Sequence, residues 1–153
     1  MTLFPYAQLL LWVFLLSVPS MRSYNILGVF PHPGKSHVDV FLPLMRGLAN
    51  KGHNVTVISC FSLKDRPSNY KEVGLDQALK IFLNVIDMGE LESNRLYKYT
   101  TLFKLSYFAQ YACESGLGSK VVKDFMKTDQ HFELLIIEFF NSDCFMGLNF
   151  KLE

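Results

Sequence analysis

Cysteine is scarce in this sequence, and so is any surplus of charge. The three cysteines, Cys60, Cys113 and Cys144, are an odd number without metal-ligand spacing, which argues against both a metal site and a disulfide framework. Three mostly buried thiols are the expectation, with one disulfide plus one remaining thiol as the alternative. Fifteen basic residues face 14 acidic ones, so the chain lacks the basic cluster that would mark a nucleic-acid partner. There is no internal repeat and no low-complexity tract. No apolar run reaches the roughly 20 residues that cross a bilayer.

What is present is a chain of 153 residues, half of them apolar, with 14 Phe and seven Tyr. That suffices for one domain with a substantial core and is too little for two. Residues 6–18 (YAQLLLWVFLLSV) carry no charge and precede Pro19-Ser20. This run suits the apolar region of a secretory signal, with a cut after Ser20, although the preceding MTLFP has no Lys or Arg. The expected organisation is a signal peptide over 1–20 and a single domain over 21–153, delivered to the secretory pathway and the endoplasmic reticulum lumen.

In the mature region, residues 24–30 (YNILGVF) read as a strand buried on both faces. Val38, Phe41, Leu42, Met45, Leu48 and Ala49 then follow helical spacing, and Gly52 stands where a helix would end. Pro43 should kink that helix or mark the first turn of one starting later. Residues 54–59 (NVTVIS) form a second strand, 64–70 a polar loop, and 80–87 a segment ambiguous between strand and helix. Residues 95–116 and 118–127 read as helices. Residues 132–138 (FELLIIE) read as a buried strand, followed by a last helix capped by Asn141, Ser142 or Asp143. This alternation predicts an α/β fold, a Rossmann-like doubly wound parallel sheet. Such sheets bind ligands beyond the carboxyl ends of their strands, at the switch point beside the first strand. If the first and fourth expected strands are neighbours, the 31–37 loop and the acids after Ile137 meet there.

The stretch GVFPHPGKSHVDVF, residues 28–41, carries two rival readings. A phosphate loop needs Gly, four residues, then Gly-Lys-Ser, so that successive N–H groups wrap the anion. Here that first position holds Val29, and Pro31 and Pro33 lack the N–H groups the loop should donate. A dinucleotide G-x-G-x-x-G is missing as well, so the phosphate reading fails. His37 is the better candidate: it opens a helix at the edge where this fold places chemistry, and imidazole suits proton abstraction near neutral pH. His32, His53 and His131 lie in turn-like contexts and are not assigned a role.

The segments YNILGVFPHPGKSHVDVFLPLMRGLANKGHNVTVIS and FELLIIEFFNSDCFMGL together resemble the N-terminal half of UDP-glycosyltransferases, the insect membrane-associated members above all. The resemblance covers residues 1–150 and is weakest in the middle. It implies a GT-B architecture in which an N-terminal domain takes the acceptor and a C-terminal domain binds the UDP-sugar. His37 matches the family's general base, and the mechanism needs no metal and no cofactor. A carboxylate after the last strand should orient the imidazole. Glu138 aligns with the family's strand-end acid, and Asp143 is the alternative, with the customary residue type five positions later. Glu138 is preferred, because a strand end fixes a side chain better than a loop does.

The donor-binding signature and the membrane anchor of the full-length form are not found in these 153 residues. The chain therefore reads as an acceptor-side part, inactive alone, with an apolar acceptor pocket lined by 95–116. Transfer of glucose or glucuronic acid to small lipophilic acceptors, with inversion, is the expected activity of the longer form. A truncated, non-catalytic product that binds apolar molecules, or pairs with itself or with full-length enzyme, is the alternative. Asn54-Val55-Thr56 is a formal glycosylation sequon, but it opens a core strand and is expected to carry little or no glycan.

Overall fold

A computed structural model describes residues 22–75, 79, 86–148 and 151–152. The expected signal peptide and most of the ambiguous segment 80–87 lie outside the described residues. Strands β1 (Asn25–Phe30), β2 (Asn54–Ser59), β3 (Tyr70–Gly74) and β5 (Leu134–Ile137) form one parallel sheet in the order β3-β2-β1-β5. A two-residue strand β4 (His131–Phe132) pairs separately with β6 (Lys151–Leu152). The chain therefore moves from β1 outward to β3, then returns to the other side of β1, which makes the β1–β5 seam the switch point.

Both faces of β1 are buried, which explains its continuous apolar run. Ile26 and Phe30 face a cluster with Val38, Leu42, Met45 and Ala49 of helix α1 (Lys35–Asn50). Leu27 and Val29 face the opposite cluster, which includes Ala112, Val122 and Phe145. Gly28 lies between these outward steps on the α1 side. A Cβ there would come within 2.7 Å of the Phe30 ring and 2.8 Å of the Met45 methyl, so a side chain would push α1 off the sheet. Helix α1 runs through Pro43 from Lys35, so no later start is needed. Pro43 is exposed, where water can satisfy the Asp39 carbonyl that loses its helical donor. Gly52, at φ +92°, follows the Lys51 cap in the left-handed region expected of it.

Helices α2 (Met88–Ser93), α3 (Arg95–Gly118) and α4 (Lys120–Met126) are capped by the side chains of Asp87, Asn94 and Ser119 respectively. Helix α3 contributes Ala112 to the core beneath the sheet, yet Leu96, Tyr99, Leu102, Phe103 and Tyr107 along it are exposed. None of the described helices is long and apolar enough to cross a membrane.

Four expectations need correction. Strand β3 falls where a polar loop was expected to end, because Lys71 and Glu72 mask a strand whose buried positions are Tyr70 and Val73. Segment 132–138 is not one buried strand. Glu133 breaks it, donating its N–H to the Asn25 carbonyl while its carboxylate accepts from the Asn25 N–H at 2.6 Å. Beyond that clip β5 is only partly covered, with Leu134 exposed. The last helix is a single 3₁₀ turn, Asp143–Gly147, and Ser142 at its cap position makes no capping bond. Finally, Cys113 and Cys144 form a disulfide that fastens this turn to α3, while Cys60 is a buried thiol outside it.

Sequon residue Thr56 is 6% exposed in the middle of β2, between Leu27 and Lys71. Asn54 gives its side-chain N–H to Asn25 Oδ1 and its backbone N–H to the Tyr24 carbonyl. Secreted protein is therefore expected to show no glycan at Asn54. A mass shift removed both by a glycosidase and by Asn54→Gln would contradict this.

Candidate active site

Two chain segments leave the sheet side by side at the carboxyl ends of β1 and β5. After β1, the buried prolines Pro31 and Pro33 hold a tight loop that delivers the chain to Gly34 and the first turn of α1. His37 sits in that turn, its N–H bonded to the Gly34 carbonyl at 3.2 Å. After β5, Glu138 continues the ladder by donating its N–H to the Val29 carbonyl at 3.1 Å. Its own carbonyl accepts from the hydroxyl of Ser142, which is fully buried, at 2.8 Å. Glu138 is thus fixed at both ends of its peptide unit before its side chain makes any contact.

The two side chains meet: His37 Nδ1 and Glu138 Oε1 are 2.5 Å apart. Glu138 is 7% exposed and His37 32%, so a buried carboxylate holds an imidazole that still reaches solvent. A carboxylate that accepts from Nδ1–H leaves Nε2 as the nitrogen with a lone pair. If Nε2 takes a proton, the buried carboxylate beside the ring stabilises the imidazolium. The arrangement can accept a proton from a group placed at Nε2. Asp143, the alternative acid, is exposed at the start of the 3₁₀ turn. Glu138 is the partner that the strand end delivers.

Two residues with no role assigned from sequence join this pair. The His32 ring lies 4.3 Å from that of His37, centroid to centroid. Phe140 lies 4.6 Å from His37 and meets His32 edge-on at 5.1 Å. Only the spacing H-P-G-K-S-H, which folds the two histidines back on each other across Gly34, could have signalled His32. Gly34 itself has a different job from binding phosphate. A Cβ there would stand 2.8 Å from His32 Nε2 and 3.4 Å from His37 Cδ2, so the space that a cradled anion would need is filled by imidazole.

Burial, with a smaller contribution from the His37 charge, pushes the His32 pKa down to about 4. The unfolded chain binds the proton more readily, so the contribution of His32 is fully present above pH 6.5 and is lost as pH falls through about 4. The ring is partly exposed, so after allowance for solvent screening the loss is about 1–2 kcal/mol. His32→Phe should remove that part of the decline in urea midpoint between pH 7 and 4.5. Parallel curves for the two proteins would contradict the assignment.

Separate from this cluster, along α2 and the first half of α3, a hollow of about 510 Å³ is walled by Leu91, Tyr99, Thr101, Leu102 and Leu105 among others. Arg95 and Lys98 also border it, its exposed lining is mainly apolar, and it overlaps only the first half of the 95–116 region.

No family model matches the sequence, and no solved structure matches it. Curated relatives do. Over 143 residues, 94% of the chain, it is 29% identical to UDP-glucosyltransferase 2 of Dactylopius coccus, and it covers 27% of that protein. It is 32% identical over 130 residues to UDP-glycosyltransferase UGT4 of the same organism, covering 83% of the chain and 25% of the relative. The ecdysteroid UDP-glucosyltransferase of Autographa californica nuclear polyhedrosis virus is 26% identical over 140 residues, covering 86% and 28%. The chain is accordingly a relative of the UDP-glycosyltransferases, matching them over most of its own length and over about a quarter of theirs.

Proposed function

We propose that the chain is the acceptor-binding part of a UDP-glycosyltransferase that transfers a hexose, glucose or glucuronic acid, to the hydroxyl of a small lipophilic acceptor. His37 Nε2 takes the hydroxyl proton as the acceptor oxygen attacks the anomeric carbon. The new C–O bond forms on the face opposite the leaving group, so the anomeric centre inverts. The bond to the UDP oxygen breaks, and UDP departs with the electron pair. Glu138 holds the base in its working tautomer and stabilises the imidazolium until the proton passes to solvent. The 2.5 Å contact between His37 Nδ1 and Glu138 Oε1, at the sheet's switch point, carries this reading. The apolar hollow along α3 supports a lipophilic acceptor. A secretory location is part of the proposal, supported by the uncharged segment 6–18 and by the Cys113–Cys144 disulfide.

The test uses a chimera in which this chain replaces the matching stretch of a longer relative, so that donor binding is supplied. His37→Ala should lower turnover by about a hundredfold or more, the usual contribution of a general base. UDP-sugar binding, measured by calorimetry, should stay nearly intact. Equal losses of binding and turnover would assign His37 to folding instead.

A further inference from the structure

His32 is the one imidazole near the site that the mechanism above does not use, and its surroundings are built around it. Its ring packs on His37 at 4.3 Å and on Phe140 at 5.1 Å, and Phe140 closes the triangle by lying 4.6 Å from His37. The loop that carries it is braced by buried Pro31 and Pro33. Gly34 is left without a side chain just where a Cβ would strike the His32 ring at 2.8 and 2.9 Å. Backbone strain does not explain that glycine, because its φ of −89° is open to any residue. The explanation that remains is the ring.

We propose that His32 is a positioning residue for His37: with Phe140 it clamps the plane of the imidazole, while Glu138 fixes which nitrogen faces the acceptor, and Gly34 is kept small to admit it. The hydrogen bond from Nδ1 alone leaves the His37 ring free to pivot about that contact. A base must hold its lone pair along the line of the hydroxyl, and small errors of angle cost rate rather than binding. Two flat groups on the ring remove that freedom. The neutral state of His32 fits this role, since a cation at 4.3 Å would oppose the imidazolium that proton abstraction creates. Its buried Nδ1, which has no hydrogen-bond partner among the described residues, is a further sign that the ring is held for its shape and place.

The inference rests on His37 acting as the base, and the experiment separates the two. In the chimera, UDP release would be followed for His32→Ala, His32→Phe, Gly34→Ala and the pair Gly34→Ala/His32→Ala, with His37 present and with His37→Ala. His32→Ala should lower kcat about tenfold while both KM values stay within about twofold. His32→Phe, which restores a ring, should recover most of that loss. Gly34→Ala should also slow turnover, and adding His32→Ala to it should cost nothing more, because the clash has gone. In the His37→Ala background, His32→Ala should have no further effect. A kcat unchanged by His32→Ala, in a chimera that His37→Ala disables, would overturn the inference alone. So would an equal loss with and without His37. Full turnover in His37→Ala would overturn the general-base reading and this inference with it.

Discussion

Glu138→Ala in the chimera is expected to cut turnover about a hundredfold, equivalent to roughly 2.7 kcal/mol of barrier, while Asp143→Asn has a milder effect. The size follows from what Glu138 does for His37. Without the carboxylate the neutral imidazole can carry its proton on either nitrogen, and the imidazolium loses its buried counter-charge. Position makes the effect specific: the strand end, the Val29 ladder bond and the Ser142 hydroxyl all hold Glu138 in place. Stability should move the other way or not at all. Glu138 Oε2 is buried without a donor among the described residues, and a buried carboxylate half satisfied is a burden on the fold. Glu138→Gln keeps the shape and removes the charge, so its denaturation midpoint should match or exceed that of the parent while turnover falls. A large fall in midpoint together with lost turnover would mark Glu138 as structural.

Removing the disulfide should give the largest stability effect. Cys113 and Cys144 are 31 residues apart in sequence, and a loop of that size stabilises the folded chain by about 3–4 kcal/mol on the chain-entropy account. The bond joins α3 to the 3₁₀ turn that follows the Glu138–Ser142 corner. Cys113→Ser/Cys144→Ser should therefore lower the urea midpoint strongly and loosen the segment that presents Glu138. The turn has a second hold on α3, since Phe145 is fully buried and lies against Gly116 so closely that a Cβ there would be 2.7 Å from the ring. An unchanged midpoint in the double variant would show that this packing alone suffices.

The fold was legible where hydrophobic periodicity was strong. β1, β2 and α1 follow directly from YNILGVF, the 3.6-residue stripe through Val38, Leu42, Met45 and Ala49, and NVTVIS. β3 was hidden because a strand of five residues with two charges, outermost among the described strands, looks like a loop. The strand 132–138 was overread because its apolar run conceals a functional break: Glu133 is polar since it clips β1, and periodicity says nothing of such a contact. One disulfide was only the alternative reading, and its partners were not readable, because pairing depends on where α3 and the 3₁₀ turn meet, which three cysteines in a row of letters do not tell. At the candidate site, the contact between His37 and Glu138 was readable from strand ends and from family resemblance. Phe140 was not, and His32 left only the H-P-G-K-S-H spacing as a trace, because their ring packing is a tertiary contact that periodicity does not encode.

The central claim is that His37 and Glu138 act as one unit, and a double-mutant cycle on turnover tests it most directly. His37→Ala, Glu138→Ala and the combined variant would be compared in the chimera under saturating donor and acceptor. The account predicts that the combined variant is no slower than His37→Ala alone, since Glu138 has nothing to orient once the imidazole is gone. Losses that multiply, with the combined variant about a hundredfold slower than His37→Ala, would contradict it and show that the two residues work separately.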